Sequence, residues 1–230
     1  MFELTVDPNI RLCTFHPDDA EEIFNLMERN RARLRPWIHP SALPETPKAA
    51  RVFAIECFFN SLADPMEMMG IYADYFQELN GYFRGETPQN EMGIWVGERL
   101  AGAASMAHLK DSSTAIEFGY WIAEEHEGKG IITRCISTLM DYAIDNMDVQ
   151  RFIIGCAANN QRSRAVPERL GYRLHVTQPK GEVVGEFVYD RAIYGIRAAA
   201  WRERNNRVGQ DKQAREYDAS GILAPLWKRS

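Results

Sequence analysis

The stretch from Ile116 to Tyr172 constrains the chain more than any other. Residues Ile116-Glu117-Phe118-Gly119-Tyr120-Trp121-Ile122 form a β-branched and aromatic run that predicts a strand. An acidic loop follows and ends Glu127-Gly128-Lys129-Gly130. Beyond it, Ile132, Cys135, Ile136, Leu139, Met140, Ala143, Ile144 and Met147 recur at three- and four-residue spacing, which predicts an amphipathic helix. A second strand over Arg151 to Ala157 and a short helix over about Gln161 to Leu170 complete the unit. The glycines permit positive φ and close approach of a ligand. The first N–H groups of the long helix have no intrahelical partner and carry partial positive charge. Such a turn is suited to a phosphate or pyrophosphate. It is not a P-loop, because GxxxxGK[ST] is absent, and it lacks the third glycine of a dinucleotide fingerprint.

Downstream, Asn159-Asn160-Gln161-Arg162-Ser163 lies between the second strand and the second helix, and Pro167-Glu168-Arg169-Leu170-Gly171-Tyr172 ends that helix. With the central strand, Glu127-Gly128-Lys129-Gly130-Ile131 and Asn30-Arg31-Ala32-Arg33-Leu34-Arg35-Pro36-Trp37, these residues resemble the GNAT acyltransferases. Within that family they look like the ribosomal-protein N-acetyltransferase (RimJ/RimL-type) branch. The resemblance runs from about Ile10 to Trp201 and is interrupted over about Ser61 to Gln89. It implies an α/β fold: a mixed, mostly antiparallel sheet with helices on both faces. Residues 1–201 are expected to form one acetyltransferase domain with an atypical helical stretch at 61–89, and 202–230 a charged tail.

Composition narrows the partners. The 230 residues suffice for one well-buried core. With 27 basic against 32 acidic residues, a net charge of −5 disfavours a nonspecific nucleic-acid binder. Cys13, Cys57, Cys135 and Cys156 are far apart and form no CxxC, so they read as reduced core residues of a cytoplasmic protein. Asp7 and Pro8 interrupt the start before an apolar signal region forms. No window approaches the ~20 apolar residues of a membrane span. The five histidines are scattered, and no metal site is expected.

Other elements follow in order. A strand is expected over Ile10 to Phe15, then a helix capped by Asp18 with Ile23, Phe24 and Met27 on one face. Thr46 and Pro47 start the next helix. Met68, Met69, Tyr72, Tyr75, Phe76 and Leu79 suggest a further helix, either core or a wall for the acceptor. Strands are expected over Glu91 to Val96 and Leu100 to Leu109, joined by a Gly97-Glu98 turn, with Asp111-Ser112-Ser113 as the next turn. The last two strands are placed at Arg173 to Thr177 and Phe187 to Tyr194. The tail carries an apolar patch at Gly221 to Trp227, read as solvated or docked.

The resemblance implies a direct transfer from acetyl-CoA to a primary amine, either a protein N-terminal α-amine or a small or peptide-like amine. Such a transfer needs a neutral amine, a polarised carbonyl, a protonated leaving thiolate and both substrates in register. Backbone groups of Trp121, Ile122 and Ala123 are expected to hold the pantetheine arm. Amides of Gly128, Lys129, Gly130, Ile131, Ile132 and Thr133 are expected to hold the pyrophosphate. Asn160 and Ser163 flank the pantetheine, with Ser163 as the candidate acid for the thiolate. Glu182 and Glu117 compete as the base. Trp37, Tyr120 and His108 are candidate acceptor contacts. Glu127 and Ile132 depart from the residues common in the family. They motivate an alternative, a non-catalytic acyl-CoA sensor or partner-binding module. Relatives also suggest a homodimer.

Overall fold

The computed structural model describes residues 2–60, 90–109 and 112–205. The helix expected around Met68 to Leu79 and the patch at Gly221 to Trp227 lie outside them. The chain opens with a hairpin of β1 (Glu3–Asp7) and β2 (Ile10–Thr14), continues through α1 (Ala20–Leu34) and α2 (Pro47–Asn60), and then forms β3 (Asn90–Val96), β4 (Arg99–Leu109) and β5 (Ser112–Ile122). Next come α3 (Ile131–Asn146), β6 (Arg151–Ala157), α4 (Gln161–Leu170), β7 (Arg173–Val184) and β8 (Phe187–Arg197). Residues 198–205 are helical and are termed α5.

Eight strands make one sheet in the order β1-β2-β3-β4-β5-β6-β8-β7. Every neighbouring pair is antiparallel except β5–β6. The period-two alternation of each strand sends side chains to two cores. Met92, Ile94, Ile116, Phe118, Phe152 and Ile154 pack with Ile132, Ile136, Leu139 and Met140 of α3. On the other face Trp95, Ala103 and Trp121 pack with Ile23, Leu26 and Met27 of α1 and Ala50 and Ala54 of α2. The expected mixed sheet covered by helices on both faces is therefore the fold. All four cysteines are buried and free, Cys135 with no exposed surface at all.

The β5–β6 pair shapes the molecule. Its parallel ladder registers only Ala115 with Arg151, Ile116 with Phe152 and Glu117 with Ile153. Past Glu117 the two strands part, while β5 continues to pair with β4 as far as Ile122.

Several boundaries differ from the sequence expectations, for physical reasons. Strand β1 was not anticipated, because its five residues are only partly buried at the sheet edge. Asp18 does not cap α1. His16 caps the preceding short 3₁₀ turn, and the Asp19 carboxylate accepts from the His16 N–H at 2.7 Å. Thr46 does cap α2, accepting from Ala49 N–H at 3.1 Å. Ser112 already belongs to β5 rather than to a turn. Strand β7 runs on to Val184, because a register shift between Gln178 and Glu182 absorbs Pro179 and Gly181. The expected tail boundary at Arg202 falls inside α5. There Trp201 is buried and donates its Nε1–H to Asp141 at 2.7 Å, and Arg202 pairs with Asp145 at 3.1 Å.

Trp201 thus fastens the C-terminal helix to α3. Replacing it with Ala should cost about 3–5 kcal/mol of stability through cavity formation and the loss of one of the two hydrogen bonds to Asp141 Oδ1, the other coming from Asn205, read as a lower urea midpoint with an unchanged slope.

Candidate active site

The parting of β5 from β6 opens a cleft of about 1200 Å³. One end is built from the loop and first turn of α3, the other from α2, β3 and the β7–β8 hairpin. Glu127, Gly128, Gly130, Ile131, Ile132 and Thr133 all line it. Gly128 and Gly130 sit at φ 71° and 69°, the left-handed region where a side chain is strained. The first intrahelical bond runs from Arg134 N–H to Gly130 C=O at 3.1 Å, so the N–H groups of Ile131, Ile132 and Thr133 precede it and face the cleft end. This is the stretch from which a pyrophosphate seat is expected, and free N–H groups at a helix start suit such an anion.

Lys129 is placed differently from expectation. Its side chain is exposed and outside the cleft, and its carbonyl accepts from Arg134 Nη1 at 3.0 Å.

Glu127 brings a carboxylate to a site for phosphates, and the fold neutralises it twice. Arg33 Nη1 donates to Glu127 Oε1, and Arg162 stands 3.1 Å from Oε2. Arg33 Nη2 also donates to Ile122 C=O at 2.5 Å and to Asn30 Oδ1 at 3.1 Å. The buried Asn30 amide binds Glu124 N–H at 3.0 Å and Leu26 C=O at 2.9 Å. Helix α1 therefore fastens both the end of β5 and the anion loop. Sequence reasoning missed Arg33 and Arg162 in this role, because Arg33 and Glu127 are 94 residues apart.

Trp121 and Ile122 line the cleft along the parted edge of β5. Ala123 does not contribute as expected: its N–H donates to Ala101 C=O at 2.7 Å and its C=O accepts from His126 N–H at 3.0 Å. Across the gap, Asn160 and Ser163 stand at the start of α4. Asn160 Oδ1 caps the helix by accepting from Ser163 N–H at 3.1 Å. Tyr120 spans the opening and donates its hydroxyl to Ser163 C=O at 2.9 Å, while Ser163 Oγ donates to Tyr120 Oη at 3.4 Å. Burial pushes the Tyr120 phenol up, so it stays protonated as a tether. Helix α4 is held further by Arg164, which donates to Tyr194 Oη at 2.8 Å and to Ala158 C=O at 2.9 Å.

The two candidate bases share one cation. Arg191 Nη2 donates to Glu117 Oε1 at 2.5 Å, and Arg191 Nε lies 3.3 Å from Glu182 Oε2 but off the hydrogen-bond line. Gly155 makes room, since a Cβ there would meet the guanidinium at 2.5 Å. Glu182 lines the cleft and Glu117 does not. Burial raises the Glu182 carboxyl above its ordinary range, with Arg191 opposing and Glu117 reinforcing the shift.

Trp37 lines the acceptor end and stacks on Tyr189 at 5.4 Å between centroids. Tyr189 in turn stacks on Phe187 at 6.1 Å. His108 is excluded, being exposed opposite Ile116 at the far end of β4. Glu91 lines the cleft and was not anticipated, because it reads as the start of an ordinary strand. The residue keeps some solvent contact, yet burial pushes its carboxyl up to about 7. Among the described residues no three His, Cys, Asp or Glu side chains cluster as metal ligands, and no helix is long and apolar enough to cross a membrane.

A sheet with one parted parallel pair, an anion-binding helix start at the opening and a hydroxyl facing the cleft together define an acyl-CoA-dependent acyltransferase. Comparison with known proteins gives the same answer. The acetyltransferase (GNAT) domain profile matches residues 9–173. The chain is 30% identical over 201 residues to "Putative ribosomal N-acetyltransferase YdaF" of Bacillus subtilis, covering 87% of this chain and 98% of that one. It is 28% identical over 101 residues to the ribosomal-protein-serine acetyltransferase of Escherichia coli, covering 44% and 56% respectively. Among solved structures, the microcin C7 self-immunity acetyltransferase MccE, in complex with acetyl-CoA and AMP, superposes with a TM-score of 0.66 at 22% identity over 84% of this chain and 94% of that one, a likeness of fold. The chain belongs to the GNAT acetyltransferase family. It is an N-acetyltransferase that uses acetyl-CoA as acyl donor.

Two outcomes test the site. Arg33→Ala, which leaves Glu127 with Arg162 alone and removes the donor to Ile122 C=O, should weaken acetyl-CoA binding about tenfold by calorimetry, or about 1.4 kcal/mol. The Glu91 carboxyl has a folded pKa above its unfolded value of 4.5. The native state therefore holds this proton more tightly than the unfolded chain. Its contribution is fully present below 4.5 and is lost as pH rises through about 7. Glu91→Gln should thus raise the melting temperature at pH 8, by about 2–4 °C per kcal/mol recovered, and leave it nearly unchanged at pH 4.

Proposed function

We propose that the acceptor is the N-terminal α-amine of a protein or peptide, and that Ser163 and Glu182 handle the two protons of the transfer. The cleft carries this reading: it is open and continuous from the anion seat past the parted strand edge to the Trp37–Tyr189 wall. The donor enters from the α3 end. Trp121 and Ile122 align the pantetheine arm, and the amides of Gly128, Gly130, Ile131, Ile132 and Thr133 receive the pyrophosphate. The acceptor enters from the opposite end. Glu182 takes the proton of the incoming ammonium, directly or through water. The nitrogen attacks the thioester carbon and the C–S bond breaks; Ser163 gives its proton to the departing thiolate and takes up the second proton that the nitrogen sheds on becoming an amide. Tyr120 positions Ser163 through the helix start.

An α-amine has a reference pKa near ~8, against ~10.4 for lysine, so a carboxylate of raised pKa is a sufficient base. The names of YdaF and of the E. coli relative support a ribosomal protein as the source of that amine. The microcin immunity enzyme supports a small peptide-like amine as the runner-up. The alternative of a non-catalytic sensor rests on Glu127, Ile132 and the long C-terminal tail. The pairing of Glu127 with two arginines removes much of its motive.

The four free, buried cysteines and the bacterial relatives support a cytoplasmic setting. A homodimer is supported by the sheet edge: β7 presents Leu174 at 47%, Val176 at 50% and Val183 at 61% exposure, and Val188 of β8 is 54% exposed beside it. A long edge strand bearing aliphatic side chains favours pairing with a second copy.

Steady-state assays on Ser- and Ala-started peptides test the chemistry. Ser163→Ala should lower kcat about 100-fold with acetyl-CoA affinity retained. Glu182→Gln should lower kcat about tenfold at pH 7, and the deficit should shrink as pH passes ~8, where the α-amine is already neutral. Equal deficits at all pH values would rule Glu182 out as the base. Val183→Glu should shift a sedimenting dimer toward monomer.

A further inference from the structure

The acceptor end of the cleft holds carboxylates that the transfer does not use. Glu91 of β3 and Glu56 of α2 both line it, and both crowd Cys57, whose thiol they push up after burial has done so. Glu91 has no hydrogen bond or ion pair among the described residues. Its strand position is set by register: Glu91 pairs with Ser105 of β4, and Ser105 pairs with Gly119 of β5. Two strand spacings separate Glu91 from the parted edge where the acyl group must lie, or about 10 Å. That is too far for the reacting nitrogen, which Glu182 serves from the opposite side. It matches about three residues of an extended peptide, at ~3.3 Å each.

Two other cleft carboxylates have a cation at hand: Glu127 has two arginines, and Glu182 shares Arg191 with Glu117. Glu91 is different. Its carboxyl is desolvated and lacks a cation. A partly buried carboxylate without a partner is destabilising, and an arriving cation would relieve it.

Resting on the reading of an N-terminal α-amine acceptor, we propose that Glu91 is a specificity residue that binds a basic side chain at position two, three or four of the acceptor peptide. The enzyme would thus select N termini by a lysine or arginine a few residues in, besides the amine that it acetylates. The cation is bound equally in the ground and transition states, so its contribution falls on KM rather than on kcat.

The test uses Ser-started peptides carrying one lysine at position two, three or four, each matched by the same peptide with norleucine. For the unmodified enzyme, at least one lysine peptide should show a KM about tenfold below its norleucine match. Glu91→Gln should abolish that difference, hold kcat within about twofold, and leave acetyl-CoA binding by calorimetry intact, which shows a folded donor site. Glu91→Asp should restore part of the discrimination. If lysine and norleucine peptides are acetylated alike, or if Glu91→Gln leaves the ratio standing, the inference fails while the N-terminal acceptor stands. Turnover of diamines but of no peptide would overturn both, and would mark Glu91 as the site of a small cation's second amine.

Discussion

Everything at the active site depends on one short parallel ladder. Strands β5 and β6 run parallel, so the chain must leave β5 at its C-terminal end and cross over through α3 before returning as β6. This crossover places the N-terminus of α3 at the same end of the sheet at which the two strands part. The anion-binding helix start and the mouth of the cleft coincide because the topology allows no other arrangement, as in open α/β sheets that bind ligands beyond the carboxyl ends of their strands. The ladder stops after Glu117 and Ile153. Beyond that point the main chain of Trp121 and Ile122 borders an opening rather than another strand.

An opening between strands must be held open, and polar contacts do this work here. Tyr120 bridges to the start of α4 without closing the gap. From the other side, the Arg33 and Asn30 network joins α1 to Ile122, Glu124 and Glu127, so the loop that meets the donor is fastened to the helix that precedes the acceptor wall. The β7–β8 hairpin completes the wall. Arg35 pairs with Glu186 at 2.7 Å, and Trp37 lies on Tyr189.

What the sequence showed, and what it concealed, follow from the range of the forces involved. Strand β6 and helix α4 coincide with their expected spans, because periodicity and end signals are local. The glycine loop and the start of α3 were legible for the same reason: glycine conformation and a helix start both act within a few residues. The long-range pairings were not legible. Nothing near Glu127 announces Arg33, and nothing near Glu117 announces that Arg191 will occupy it. Ala123 looked available only because its partner, Ala101, lies on a neighbouring strand. Strand β7 was read too short because Pro179 and Gly181 signal a turn, whereas the pairing with β8 resumes beyond a bulge. Edge strand β1, half exposed and short, carried too little alternation to be recognised.

The carboxylates of the cleft show how position converts one residue type into different tools. Glu127 is bound by two cations, so the group beside the glycine loop carries a net positive charge, which suits phosphates. Glu117 is bound by Arg191 and serves to hold that guanidinium in place. Glu182 shares the same guanidinium at a looser geometry, and burial raises its carboxyl above the ordinary range. Glu91 has no such partner and is raised furthest, to about 7. Its burial costs stability that no hydrogen bond or ion pair among the described residues returns. Among the described residues Glu127 and Glu182 each face an arginine and Glu91 faces none, and this contrast is what favours a positive charge arriving with the substrate.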